Sequence, residues 1–307
     1  VTGQTDTTTT TSAATSAAGA QDADIRRVGV VGGGLMGSGI AEVCAEAGCD
    51  VVVAETDEAA ARRALSRITA SLDRGVSRGK FSADDASAAL GRVRTVAGLD
   101  ALVDRDLVVE AVAESEQLKV DVFAALDRIV ERPDAILASN TSSIPIMKVA
   151  MATRRPEFVV GMHYFNPVPV LRLVELVPSL LTGGETVRRA QAFAETALHK
   201  QVIHCRDRAG FVVNALLVPY LLSAVRMLES GYATAEDIDT GMVQGCAHPM
   251  GPLRLTDLIG LDTTKAIAQS LYEEFKEPLY APPPLLSRMV DAGLFGKKSG
   301  RGFYAYG

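Results

Sequence analysis

The sequence predicts an α/β domain over residues 25–207 followed by an all-α domain over residues 208–307. Short apolar runs of strand type alternate with segments of helical period as far as residue 205. A glycine cluster follows the first of those runs directly. Beyond residue 210 the strand runs vanish and long helical patterns replace them. With 307 residues the chain is long enough for two domains of ordinary size. Residues 1–24 are rich in Thr and Ala and carry no Arg or Lys. They lack both the apolar core of a signal peptide and the arginines of a transit peptide, so they are read as a disordered tail.

Composition narrows the function. Apolar residues make up 48% and charged residues 22%, a soluble globular mix. A net charge of −6 and a pI of about 5.4 argue against a nucleic-acid partner, which calls for a basic surface. An anionic ligand would need a local basic pocket. Cys44, Cys49, Cys205 and Cys246 form no CxxC pair, which points to a reducing compartment and a cytoplasmic protein. The pairs His204-Cys205 and Cys246-x-His248 match no common zinc spacing, so no metal is expected. No apolar run is long enough to cross a membrane, and none of the chain is expected to do so.

Val28–Val31 is the first strand, and Gly32-x-Gly34-x-x-Gly37 follows it at once. Gly32 permits a tight turn, Gly34 lets the backbone approach a pyrophosphate, and Gly37 lets helix and strand pack closely. Leu35 and Met36 open the helix, whose first amides face the phosphates. Met36, Ile40, Val43, Cys44 and Ala47 recur at helical spacing, Gly48 stops the helix, and Val51–Val53 is the second strand. This is a dinucleotide-binding, Rossmann-like unit. Glu55 ends the second strand, where a carboxylate accepts from ribose hydroxyls and repels a 2′-phosphate, favouring NAD over NADP. Asp57 competes for that role.

A helical pattern over Ala59–Arg78 has Leu65, Ile68 and Leu72 on one side. Arg74, Arg78 and Lys80 gather at its end, either as a solvated helix terminus or as a basic spot for a phosphorylated ligand. Leu107–Val112 and Ala135–Ala138 read as buried strands. Ligands of open α/β sheets bind at the carboxyl ends of strands, which brings Ala111 and Asn140 to the cofactor edge. The polar run Ser139-Asn140-Thr141-Ser142-Ser143 reads equally well as a turn and helix cap.

In "GMHYFNPVPVLRLVELV" one histidine, His163, precedes one glutamate, Glu175, by twelve residues. That is no helical spacing, and Pro167 and Pro169 discourage a helix. A bend at Asn166–Pro169 would let Leu171–Val177 return as a strand and bring Glu175 beside the ring. Oxidising a secondary alcohol needs a base near neutral pH, and histidine suits it. A carboxylate on the other ring nitrogen fixes the tautomer and stabilises the imidazolium. The competing structural reading makes Glu175 a salt-bridge partner of Arg172.

In the second domain, Phe211, Asn214, Ala215, Val218, Leu222 and Val225 follow helical spacing, with Pro219 inside. A proline-rich turn and a further helix follow in "EEFKEPLYAPPPLLSRMVDAG". The end, "GKKSGRGFYAYG", has glycines suited to tight turns.

Together, "GGGLMGSGIA", "SNTSS", "GMHYFNPVPVLRLVELV", "GFVVNALLVPYLLSA", "HPMGPLRLTDLIGLD" and "GKKSGRGFYAY" resemble the successive motifs of L-3-hydroxyacyl-CoA dehydrogenases, in particular the short bacterial 3-hydroxybutyryl-CoA type. The resemblance spans Arg26 to Gly307. It implies NAD as cofactor, an acyl-CoA substrate, a site between the domains and a homodimer through the helical domain. It implies His163 as catalytic base and Glu175 as its acidic partner, with Ser142 and Asn214 holding the substrate oxygen. It makes Asn166 a further active-site residue, Glu114 and Lys119 cofactor contacts, and Ser71 a coenzyme A contact. The lysine-rich stretch that the family often has after this serine is missing, so Arg78 or Lys80 is expected to replace it. His248 stands where the family has an aromatic residue and is read as structural. Two further functions stay open: a dehydrogenase of a free hydroxy acid such as L-gulonate, and a catalytically silent NAD-binding structural protein.

Overall fold

The computed structural model describes residues 25–307, so the tail expected over residues 1–24 lies outside the described residues. The first domain runs β1 (Arg27–Val31), α1 (Leu35–Glu46), β2 (Asp50–Glu55), α2 (Glu58–Ser77), α3 (Ala83–Leu90), β3 (Val93–Ala97), β4 (Leu107–Glu110), α4 (Glu116–Ile129), β5 (Ile136–Ser139), α5 (Ile146–Ala150), β6 (Val159–Tyr164), β7 (Leu173–Pro178), α6 (Gly184–Ala192) and β8 (Gln201–His204). The strands form one sheet in the order β3-β2-β1-β4-β5-β6-β7-β8. Neighbours are parallel except β6 and β7. The order reverses between β1 and β4, and a ligand crevice opens at such a switch point.

Period-two alternation explains the layers. Val51 and Val53 join one core with Val28, Val30, Ile40, Ile68 and Leu72. Val52 between them joins the opposite core with Val31, Val108, Phe123, Leu126 and Leu137. Both faces are covered by helices, so the central strands read as continuous apolar runs rather than alternating ones.

Several boundaries differ from the sequence reading. β4 stops at Glu110 because the Glu110 carboxylate accepts the amide of Val112 at 2.7 Å and turns the chain out of the sheet. β5 is shifted one residue onward, and β7 starts at Leu173. β3 and β8 are edge strands with half-exposed side chains, and their sequences carry a weak apolar signal. The segment ending at His204 forms the eighth strand. α3 is short and held by a capping box between Ser82 and Asp85.

The second domain packs α7 (Val213–Glu229), α8 (Ala235–Cys246), α9 (Pro252–Ile259), α10 (Leu261–Phe275) and α11 (Pro284–Asp291) around Val218, Leu222, Val225, Leu253, Leu261, Leu271 and Leu286. α7 continues across Pro219. The chain end is anchored by buried Asp257, which accepts the amides of Phe303 and Tyr304 and the hydroxyl of Tyr306. A Cβ at Gly302 would lie 2.0 Å from Asp257 Oδ1, so only glycine fits there. His248 bonds Tyr220 through Nδ1 at 3.1 Å, in keeping with a structural residue. Among the described residues no helix is long and apolar enough to cross a membrane, and no group of three or more His, Cys, Asp or Glu could hold a metal.

Candidate active site

The antiparallel register of β6 and β7 sets His163 directly opposite Glu175. The proline bend between them, with a cis Asn166-Pro167 bond, makes that pairing, as the sequence reading required. His163 Nδ1 lies 2.7 Å from Glu175 Oε2. Phe165 and Phe211 flank the imidazole, with ring centroids 4.6 and 5.5 Å away. The other carboxylate oxygen, Oε1, accepts the amides of Val212 and Val213 at 3.0 and 2.8 Å, where α7 begins. Glu175 therefore does not pair with Arg172 but ties the sheet to the helical domain. Burial pushes its carboxyl up, but His163 and the two amides outweigh that and hold it below the usual carboxylate value. With the carboxylate ionised, Nδ1 carries the proton and donates it to Glu175. Nε2 is then the basic nitrogen of the ring.

Glu114 organises the polar turn after β5. Its Oε1 accepts the hydroxyl of Thr141, the amides of Ser142 and Ser143, and the Ser143 hydroxyl. Burial opposes its ionisation, but Lys119 and these donors hold the carboxyl low. Lys119 is 1% exposed, with its ammonium 2.6 Å from Glu110 and 3.3 Å from Glu114. The Ser139 hydroxyl completes this network at Glu110. Glu114 and Lys119, expected as cofactor contacts, are thus bonded first to each other and to the turn. The Asn140 side-chain carbonyl is likewise engaged, accepting the amide of Tyr164 at 2.9 Å and joining the ends of β5 and β6. The Ser142 hydroxyl and the Asn214 amide group make no hydrogen bond among the described residues, and both residues are half-buried. Asn214 lies in the first turn of α7, next to the amides that Glu175 holds.

A cleft of about 450 Å³ opens at the switch point, lined by Gly32, Gly34, Glu55, Ala111, Val112 and Leu118 among others. Gly32 has φ +90°, and a Cβ at Gly37 would lie 1.8 Å from the Gly32 carbonyl, so both positions require glycine. A Cβ at Gly34 would meet nothing within 4 Å, which leaves the close approach to a pyrophosphate free. Glu55 Oε1 accepts the Gly33 amide at 2.7 Å, and its second oxygen makes no hydrogen bond among the described residues. Asp57 caps α2 through the Ala60 amide and does not line the cleft. These residues fit a dinucleotide without a 2′-phosphate. Leu35 and Met36 would serve it through their first-turn amides: the Leu35 side chain faces a second groove, and Met36 packs on the core.

That second groove, about 340 Å³, is lined by Leu35, Glu42, Arg67, Ser71, Arg74 and Asn166, among others. It brings Ser71 and Asn166 together, although they are far apart in sequence. Arg78 and Lys80, expected as its cations, do not line it. Arg78 ends α2, and Lys80 pairs with Glu46 at 3.1 Å. Arg67 and Arg74 take that place because helical spacing sets them on the Ser71 side of α2. Arg67 also donates to the Gly33 carbonyl at 3.2 Å. The sequence reading missed Arg67 and Glu42. The spacing 67, 71, 74 on one helix face was the available signal for the first. Lys200 was missed as well: its buried ammonium bonds the carbonyls of Val168 and Leu171 at 2.6 and 2.8 Å and fixes the bend behind Asn166.

Known proteins place the chain. Residues 27–208 match the NAD binding domain of 3-hydroxyacyl-CoA dehydrogenase, and residues 210–306 match its C-terminal domain. The chain is 61% identical to a 3-hydroxybutyryl-CoA dehydrogenase of Mycobacterium tuberculosis over 282 residues, covering 92% of this chain and 99% of that one. It is 41% identical to human mitochondrial hydroxyacyl-coenzyme A dehydrogenase, covering 95% of this chain and 94% of that one. The crystal structure of (S)-3-hydroxybutyryl-CoA dehydrogenase from Ralstonia eutropha is similar with a TM-score of 0.87 and 44% identity, covering 92% of this chain and 99% of that chain. With both domain models matched in order over nearly all of the described residues, the chain belongs to the 3-hydroxyacyl-CoA dehydrogenase family.

Proposed function

We propose that the protein catalyses the reversible NAD-dependent oxidation of (S)-3-hydroxyacyl-CoA, with 3-hydroxybutyryl-CoA as substrate, to the 3-ketoacyl-CoA. The observation that carries this is the His163–Glu175 pair, 2.7 Å apart, at the same sheet edge as the glycine turn. β1, β4, β5 and β6 all run parallel, so Gly32, Ala111, the Ser142 turn and His163 share their carboxyl ends. Bound NAD supplies the hydride acceptor for C3 of the substrate.

His163 Nε2 takes the proton of the 3-hydroxyl as the C–H bond breaks, and returns it to the ketone oxygen in the reverse direction. Glu175 keeps the proton on Nδ1 and stabilises the imidazolium. Ser142 and Asn214 donate to the substrate oxygen as negative charge develops on it. Glu55 sets the preference for NAD, and Glu114 and Lys119 support the cofactor edge through the Ser142 turn. The coenzyme A part lies in the groove of Ser71, Arg74 and Asn166, where the arginines meet its phosphates. The protein acts in the cytoplasm as a homodimer through its helical domain, where Leu216 and Leu258 present apolar surface to solvent.

The test is NADH oxidation with acetoacetyl-CoA beside NAD reduction with L-gulonate. Turnover on acetoacetyl-CoA, reduced about 10²- to 10⁴-fold in His163→Ala, is expected. Activity on gulonate alone would replace the proposed substrate class with a free hydroxy acid.

A further inference from the structure

One residue of the second groove has no role in the proposed chemistry. Glu42, on α1, is 2% exposed, yet it lines the groove with Ser71, Arg74 and Asn166. It forms no salt bridge among the described residues, and Ser71, which lines the same groove from α2, favours its ionised form. Glu46, one turn along α1, faces it with like charge but is paired with Lys80. From α2 come Arg74 and, further along the groove wall, Arg67, which is already bonded to the Gly33 carbonyl. The bend Asn166–Pro169 contributes no ionisable group, and Lys200 behind it spends its donors on backbone carbonyls. Burial is the largest influence on Glu42. Ser71, Lys80 and Arg74 only partly offset it, and the carboxyl is pushed up to about 7.

We propose that Glu42 is a binding residue that must be protonated to admit the acyl-CoA, so that acyl-CoA binding takes up a proton that NADH binding does not. The proposal rests on the reading that this groove holds the coenzyme A part. A phosphorylated ligand brought beside a carboxylate in a weakly screened wall is repelled. A neutral carboxyl is instead a hydrogen-bond donor. The ligand also strips water from the groove, which disfavours the charged form further. Affinity for acyl-CoA then falls as pH rises past neutral, by up to about tenfold per pH unit.

The experiment measures KM for acetoacetyl-CoA and for NADH from pH 6 to 9 in the wild type and in Glu42→Gln. The expected result is a KM for acetoacetyl-CoA that rises above pH 7 in the wild type and much less in Glu42→Gln, with no matching rise for NADH. Titration of the substrate itself cancels between the two proteins. Calorimetry of coenzyme A binding at pH 8, in two buffers of different ionisation enthalpy, should show proton uptake in the wild type that Glu42→Gln lacks. Equal KM slopes and equal proton counts in the two proteins would overturn the proposal while leaving the groove reading intact. If Arg74→Ala leaves KM for acetoacetyl-CoA unchanged and coenzyme A does not compete with it, the groove reading itself fails, and the proposal falls with it. Should Glu42→Gln fail to fold, wild-type calorimetry still decides, because the absence of uptake at pH 8 overturns the proposal.

Discussion

Glu175 and Glu42 are 0% and 2% exposed, both lie in the walls of the proposed site, and burial pushes both towards the neutral form. Yet the two carboxyls shift in opposite directions. Glu175 receives the His163 ring on one oxygen and two backbone amides on the other. Glu42 has Ser71, Lys80 and Arg74 in its favour and a second glutamate against it. Depth is the same in both cases, and the number and direction of donors decides the charge. Each state suits its place in the proposed chemistry. A base needs a permanent anion behind it, whereas a wall facing a phosphorylated ligand is better neutral.

The largest effect should come from removing the anion on the catalytic side. Glu175→Gln cannot satisfy both neighbours, since its single carbonyl oxygen faces either the ring N–H or the two amides, and its NH₂ then opposes donors on the other side. We expect kcat to fall by about 10²- to 10⁴-fold, as when a general base is lost. Steady-state turnover with acetoacetyl-CoA checks this, and a loss of less than about fivefold would remove Glu175 from the chemistry. The folded carboxyl lies below its usual value, so its stabilisation is complete at neutral pH. It is lost as pH falls from the ordinary carboxylate value of 4.5 down through that lowered value.

Glu114 sharpens the comparison, because it too is a buried anion held by many donors, but its donors shape a turn rather than a base. Glu114→Gln keeps one acceptor and loses the charge facing Lys119, a change of roughly 1–3 kcal/mol in local stability. We expect a smaller fall in kcat, about tenfold, because Ser142 drifts by a fraction of an ångström from the substrate oxygen. A weaker NADH affinity with kcat intact would instead make Glu114 a direct cofactor ligand, as its place in the family pattern implied.

What the sequence made legible follows the same division. The glycine turn, Glu55 and the His163–Glu175 hairpin were readable because each depends on local spacing: a strand, a turn and a return. The edge strands β3 and β8 were not, because half-exposed edges carry little apolar pattern. Nor was the use of Glu114 and Asn140, since Thr141 and Tyr164 reach them only once β4, β5 and β6 lie side by side. Arg78 and Lys80 looked like a ligand cluster in the linear sequence, but the end of α2 turns them to solvent and to Glu46. Glu42 was missed because nothing local marks it: it is buried in a groove whose other walls are α2 and the bend at Asn166–Pro169.

The smallest effect, and the one that isolates the contrast from catalysis, is on stability. The Glu42 carboxyl sits at about 7 in the folded chain against an ordinary 4.5. Between those values the folded state keeps a proton that the unfolded state releases, so stability falls as pH rises from 4.5 towards 7 and levels off above. Glutamine cannot ionise, so Glu42→Gln escapes that fall. We expect its Tm to match the wild type near pH 5 and to exceed it at pH 8 by a few degrees, about what 1–2 kcal/mol shifts a chain of this size. Glu175→Gln should show the opposite sign, losing stability at pH 8 because it removes an anion that the fold has satisfied. If both variants lower Tm equally at pH 8, the fold satisfies both anions equally well, and the contrast drawn from their donors is wrong.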